Sequence, residues 1–203
     1  MKIVKLLIVD INLVNTYHHF LMKNLNEEQK EKASRYKNEK DQMRCLLSSY
    51  LMSQLSQEEL QRNETGKPFF PNGPFFNISH SGKYVIMAIA NQEVGVDIEE
   101  DIEKNMDILL KIFNEAESKM IKEHADFYYL WCAKESLIKC MGSSISKIKE
   151  IPSLPLNGLK TFKGKDYQCQ TFIYDKHIIS ITKEGKEPFE IKTEIIKKIP
   201  FNI

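Results

Sequence analysis

Val94-Gly95-Val96-Asp97-Ile98-Glu99 changes character residue by residue. Read as a strand, it sends Asp97 and Glu99 to one face, about 6–7 Å apart along the chain, and Val96 and Ile98 to the other. One face can join a core while the other presents two carboxylates. Such a pair can hold a hard cation, because magnesium takes carboxylate and phosphate oxygens and keeps several waters. The same spacing also suits a solvated strand end, and Glu100, Asp101 and Glu103 follow directly.

Working outward, segments 75–79 and 84–90 read as short strands before this one. The apolar run 3–9, broken by Lys5 and ended by Asp10, reads as a buried first strand and neither a signal peptide nor a membrane span. Between them, 26–60 carries Leu46, Leu47, Tyr50, Leu51 and Leu55 at helical spacing, and Gly66-Lys67-Pro68 and Pro71-Asn72-Gly73-Pro74 mark a long loop. After residue 101 the spacing of Met106, Leu109, Leu110 and Phe113 predicts a helix, as does 127–141. Pro152, Pro155 and Gly158 break the pattern, and 167–174, 177–182 and 189–196 alternate as strands. The order suggests one α+β unit used twice, as lobes 1–100 and 101–203 with a ligand cleft between them.

The chain has 203 residues, 42% hydrophobic and 28% charged, which suits a globular core and excludes a disordered or collagen-like chain. A net charge of +1 gives no general attraction to nucleic acid or an anionic membrane. Any anion site must be local. Arginine occurs only at Arg35, Arg44 and Arg62. Cys45, Cys132, Cys140 and Cys169 form neither a C-x-x-C pair nor a zinc spacing, so they read as free thiols of a cytoplasmic protein.

Three further segments carry chemistry. In the helix through Trp131-Cys132-Ala133-Lys134-Glu135-Ser136-Leu137-Ile138-Lys139, an apolar stripe of Leu130, Ala133, Leu137 and Met141 docks the helix. Trp131, Glu135 and Lys139 recur every fourth residue on another face, where they suit one site or an exposed helix pair beside a half-buried ring. Phe76-Asn77-Ile78-Ser79-His80-Ser81-Gly82 gathers hydroxyls and an imidazole at a strand end, where an anion could be met. A serine hydrolase is excluded, because no G-x-S-x-G elbow is present. The segment with Lys30, Lys32, Arg35, Lys37, Lys40 and Arg44 can grip phosphate, although interleaved acids also suit a solvated helix.

The order of these motifs, from Gly66-Lys67-Pro68 to the Trp131–Lys139 segment, resembles the 4′-phosphopantetheinyl transferases of the two-lobe, surfactin-synthetase-activating type. The resemblance covers roughly Glu27 to Met141. It implies transfer of the phosphopantetheine arm of coenzyme A to a serine of an acyl or peptidyl carrier protein, releasing adenosine 3′,5′-bisphosphate. It further implies two similar α+β lobes related by a pseudo-twofold, a monomer, and coenzyme A between the lobes.

By motif position, Asp97, Glu99 and Glu135 would be magnesium ligands, with Glu135 and Lys139 catalytic. Lys32, Arg44, Lys67, Ser79 and His80 would contact coenzyme A. The chain departs from the family pattern at Gln29, where a lysine is expected, and at Cys45, where a small hydroxyl is expected. Glu117 lies near a family glutamate but aligns poorly. The Pro71–Pro74 loop, Lys111, Lys119 and Lys122 are candidates for carrier docking. A coenzyme A- or carrier-binding module without catalysis, and a metal-dependent phosphohydrolase, are the competing readings.

Overall fold

The computed structural model describes residues 2–103 and 112–200. Met106, Leu109, Leu110 and Lys111 therefore lie outside the described residues. The described residues are mixed α/β, with two four-stranded sheets. Strand β1 (Lys2–Asp10) leads to helices α1 (Leu13–Asn24), α2 (Glu27–Ser34) and α3 (Glu39–Ser53). A two-residue ribbon follows, β2 (Gln61–Arg62) with β3 (Pro68–Phe69), then β4 (Phe75–Ser81), β5 (Tyr84–Ala90) and β6 (Val94–Glu100). Helices α4 (Glu115–Ser118) and α5 (His124–Met141) precede a 3-10 turn at Ile145–Glu150, and β7 (Gly158–Phe162), β8 (Lys165–Tyr174), β9 (His177–Glu184) and β10 (Phe189–Ile196) follow. None of the described helices is long and apolar enough to cross a membrane.

The first sheet has the order β10-β1-β5-β4 and the second β6-β9-β8-β7. Within each, three strands repeat one pattern: β1-β5-β4 and β6-β9-β8 are antiparallel, with the first strand beside the third. Helices connect the first strand to the second in both. The sheets also exchange strands across residue 100. Strand β6 starts the second sheet, while β10 returns to pair in parallel with β1.

Side-chain alternation explains the layers. Val4, Leu6 and Ile8 of β1 share one core with Ile86 and Ala88 of β5, Val96 and Ile98 of β6, and Ile179 and Ile181 of β9. Leu7 and Val9 face the opposite way, against Leu47, Tyr50 and Leu51 of α3. Strand β1 is thus buried on both faces, which explains its nearly unbroken apolar run. Helix α5 covers the other side of the second sheet, where the Ser136 hydroxyl lies 3.0 Å from that of Ser180 and 2.8 Å from that of Thr182.

The helical spacing in 26–60 resolves into two helices, α2 and α3. Asn26 and Asn38 each cap a new start, with Asn26 accepting from the Gln29 amide at 2.9 Å and Asn38 from the Lys40 amide at 2.9 Å. Strands β4 and β6 come together without a backbone ladder. Their contact runs through side chains: Asn77 accepts the Val96 amide at 2.9 Å, Ser79 donates to Asp97 at 2.9 Å, and Ser81 donates to Glu99 at 3.0 Å.

Candidate active site

Gly95 shares the strand face of Asp97 and Glu99, and that face meets α5. A Cβ at Gly95 would lie 2.0 Å from the Ser136 carbonyl oxygen and 2.3 Å from the Cys140 nitrogen. The missing side chain lets α5 settle on β6. This contact lays Glu135 and Lys139 beside Asp97, and Trp131 beside Glu99.

Lys139 Nζ lies 2.6 Å from Asp97 Oδ1, 3.0 Å from Ser79 Oγ and 3.9 Å from Glu135 Oε2. Asp97 is 3% exposed, and its Oδ2 has no hydrogen-bond partner among the described residues. Burial, with added repulsion from Asp97 and Glu99, pushes the Glu135 carboxyl up to about 7, although Lys139 opposes the shift. Burial disfavours the charge of Lys139, but Asp97 and Glu135 outweigh it and hold its pKa above the ordinary lysine range. Trp131 Nε1 donates to Glu99 Oε1 at 3.3 Å.

These groups open on a cavity of about 390 Å³, lined by Lys32, Ser79, His80, Asp97, Glu99, Glu135 and Lys139 among others. Among the described residues, no three carboxylate, imidazole or thiol groups are drawn close enough to enclose a metal ion. The Lys139 ammonium instead neutralises Asp97.

Arg44 stands beside the cavity, with Nη1 2.6 Å from Asp41 Oδ1 and its guanidinium on the Gly82 carbonyl. Desolvation, then the positive charges of Arg44 and Lys139, hold the His80 imidazole below its ordinary range. Lys67 faces elsewhere. Its ammonium binds Glu93 at 2.5 Å and the carbonyls of Cys140 at 3.1 Å and Val94 at 3.3 Å.

Residues 93–182 match the model of the 4′-phosphopantetheinyl transferase superfamily, and residues 14–92 match that of the 4′-phosphopantetheinyl transferase N-terminal region. The chain is 33% identical to the 4′-phosphopantetheinyl transferase gsp of Aneurinibacillus migulanus, over 78% of this chain and 69% of that protein. With the 4′-phosphopantetheinyl transferase Sfp of Bacillus subtilis strain 168 the identity is 32%, over 75% and 73%. With ffp of Bacillus subtilis it is 36%, over 77% and 75%. The chain belongs to the 4′-phosphopantetheinyl transferase superfamily.

Within this superfamily member, the residues at both departures from the motif pattern can be placed. Gln29 closes the α2 capping box, its Oε1 accepting the Asn26 amide at 3.0 Å. Cys45 lines the cavity; burial pushes its thiol up while Lys32 opposes the shift. Arg35 and Lys30 of the basic segment instead make exposed pairs within α2 and its cap, to Glu31 at 2.8 Å and Glu27 at 2.7 Å.

Glu117 lies outside the cavity lining. Burial alone would raise its pKa, but hydrogen bonds from the fully buried Lys134 and from Ser153 outweigh burial and lower it. Of the residues expected at carrier docking, Lys119 pairs with Glu115 at 2.6 Å, and Pro71, Gly73 and Pro74 line a second cavity with Phe69 and Phe75.

Of the α3 wall of the main cavity, formed by Asp41, Cys45, Ser48 and Met52, the sequence singles out only Cys45. Their spacing of four, three and four places them on one helix face. That periodicity was available, but three of the four residues are small or polar and did not register as a stripe.

Proposed function

We propose that this chain transfers the 4′-phosphopantetheine arm of coenzyme A to a serine of an acyl or peptidyl carrier protein, with magnesium, and releases adenosine 3′,5′-bisphosphate. The observation that carries the reading is the meeting of Asp97, Glu135 and Lys139 beside Ser79 in one cavity wall. An acid with a neutral-range pKa next to a lysine suits a reaction that removes a hydroxyl proton and releases a phosphate.

Asp97, Glu99 and Glu135 offer only hard oxygen donors, and the buried Oδ2 of Asp97 lacks a hydrogen-bond partner among the described residues. This donor chemistry fits magnesium, which would have to draw the three carboxylates together and displace Lys139 from Asp97, with phosphate oxygens and waters completing its shell. When bound, the ion would offset the negative charge of the pyrophosphate. Glu135 takes the proton of the carrier serine, directly or through a water, as the serine oxygen attacks phosphorus. Lys139 offsets charge on the departing phosphate or protonates it.

Lys32, Ser79 and His80 are assigned to coenzyme A on the cavity they share. Arg44 adds positive charge beside His80. Lys67 belongs to the assignment by motif position, and would reach a phosphate only by leaving Glu93. The repeated strand order supports two lobes, 1–100 and 101–203, related by a pseudo-twofold with coenzyme A between them. A site assembled within one chain supports a monomer, and the four free cysteines support a reducing cytoplasm.

The test is to incubate the protein with apo-carrier protein, coenzyme A and magnesium and to follow the intact mass of the carrier. A gain of one phosphopantetheine, lost with EDTA and with Glu135→Gln, supports the reading. No gain across several apo-carriers overturns it.

A further inference from the structure

Ser81 is absent from the lining of the main cavity, yet its hydroxyl holds a group that lines it. Its Oγ accepts the Glu100 amide at 3.0 Å and donates to Glu99 Oε2 at 3.0 Å. The accepted N–H occupies the oxygen on one side, so the single hydroxyl proton is directed at the carboxylate. Glu99 Oε1 receives Trp131 Nε1 from α5. Two donors from different elements therefore fix the plane of one carboxylate.

The backbone around Ser81 is held from both sides. On one side Arg44 donates to the Gly82 carbonyl. On the other, Gly82, at φ +53°, lies so close to β6 and β9 that a Cβ would fall 2.8 Å from Glu100 Oε2 and 2.6 Å from His177 Nε2. With the backbone held, the Ser81 hydroxyl leaves Glu99 only by a side-chain rotation that also gives up the Glu100 amide.

We propose that Ser81 is a positioning residue that fixes the Glu99 carboxylate for cation binding at the cavity wall. It repeats, two residues on, the relation of Ser79 to Asp97, but acts through Glu99 and touches no substrate. Its kinetic test rests on the transferase reading above; its binding test does not.

Manganese would serve as the probe ion, its binding to the coenzyme-free protein measured by electron paramagnetic resonance for wild type, Ser81→Ala and Ser81→Thr. The expected result is about tenfold weaker binding in Ser81→Ala, restored by Ser81→Thr, which keeps the hydroxyl. In the transferase assay, Ser81→Ala should raise the half-saturating magnesium concentration by a similar factor and leave KM for coenzyme A within about twofold. If Ser81→Ala does not fold, Ser81→Cys, a similar shape with a weak donor, takes its place with the same expectation.

Manganese binding equal to wild type, or a change confined to KM for coenzyme A, overturns the proposal. Weaker manganese binding in Ser81→Ala alongside a wild type that modifies no carrier would leave Ser81 as assigned and remove the transferase reading instead.

Discussion

Lys139 Nζ sits 2.6 Å from Asp97 Oδ1, and the two residues reach each other from different elements, the last turns of α5 and the middle of β6. The carboxylate is almost wholly buried and the ammonium about a quarter exposed, at 5% and 27% of their side chains. Removing the cation leaves a buried charge with only the Ser79 hydroxyl on that oxygen. Lys139→Met, similar in length, is therefore expected to destabilise the coenzyme-free protein by about 2 kcal/mol, read by urea denaturation. Unchanged stability would show that the pair contributes nothing to the fold.

Glu135 sets an expected pH profile. In the metal-free protein its carboxyl is held at about 7 and must lose its proton to ligate a cation, so magnesium binding should strengthen through that pH and be about tenfold weaker at pH 6 than at its plateau. Magnesium binding that stays flat from pH 5.5 to 8 would remove Glu135 from the ligand set.

The same group links pH to stability with the opposite sense. Its folded pKa is raised from 4.5, so between 4.5 and about 7 the folded state binds more protons than the unfolded chain. The contribution of Glu135 is full below that window and is lost as pH rises through about 7. Without added metal, Glu135→Gln should flatten this part of the stability curve and be more stable than wild type at pH 8. Denaturation at pH 5 and pH 8 reads the difference.

Gly95→Ala places a methyl group against backbone rather than a flexible side chain, since its Cβ would meet the Ser136 carbonyl and the Cys140 nitrogen. Helix α5 must then lift from β6. The expected cost exceeds about 3 kcal/mol, with loss of the Lys139–Asp97 contact and of activity. A variant with wild-type thermal stability would show that the helix does not depend on this approach.

Lys67 distinguishes structural from ligand roles. Its ammonium meets three acceptors, and its side chain is 12% exposed. Lys67→Met should cost about 1–2 kcal/mol in the coenzyme-free protein, measured by urea denaturation. Stability equal to wild type would mean that the ammonium is not committed to Glu93 in solution.

Strong periodicity made much of this fold legible. The apolar runs 3–9 and 84–90 and the alternation at 94–99 and 189–196 identified β1, β5, β6 and β10, because burial on one or both faces writes directly into hydrophobic pattern. Helix α1 was not anticipated: Asn15, Thr16, His18 and His19 dilute its apolar face, and Tyr17 departs from helical dihedrals inside it. Strand β7 was hidden by Gly158, which reads as a breaker and yet begins the strand at φ +110°. The spacing of Trp131, Glu135 and Lys139 revealed a shared helix face. Its partner on β6, and the Gly95 contact that joins them, depend on packing between elements distant in sequence.

The parallel pairing of β1 with β10 bears on how the chain is made. A ribosome must have synthesised residue 196 before β1 gains its full set of neighbours. Until then the newly emerged first sheet carries an open apolar edge, and β1 waits through most of translation for its last partner. Such late closure slows folding and exposes the nascent chain to misassembly. Released chains ending before and after β10 should differ sharply in protease resistance.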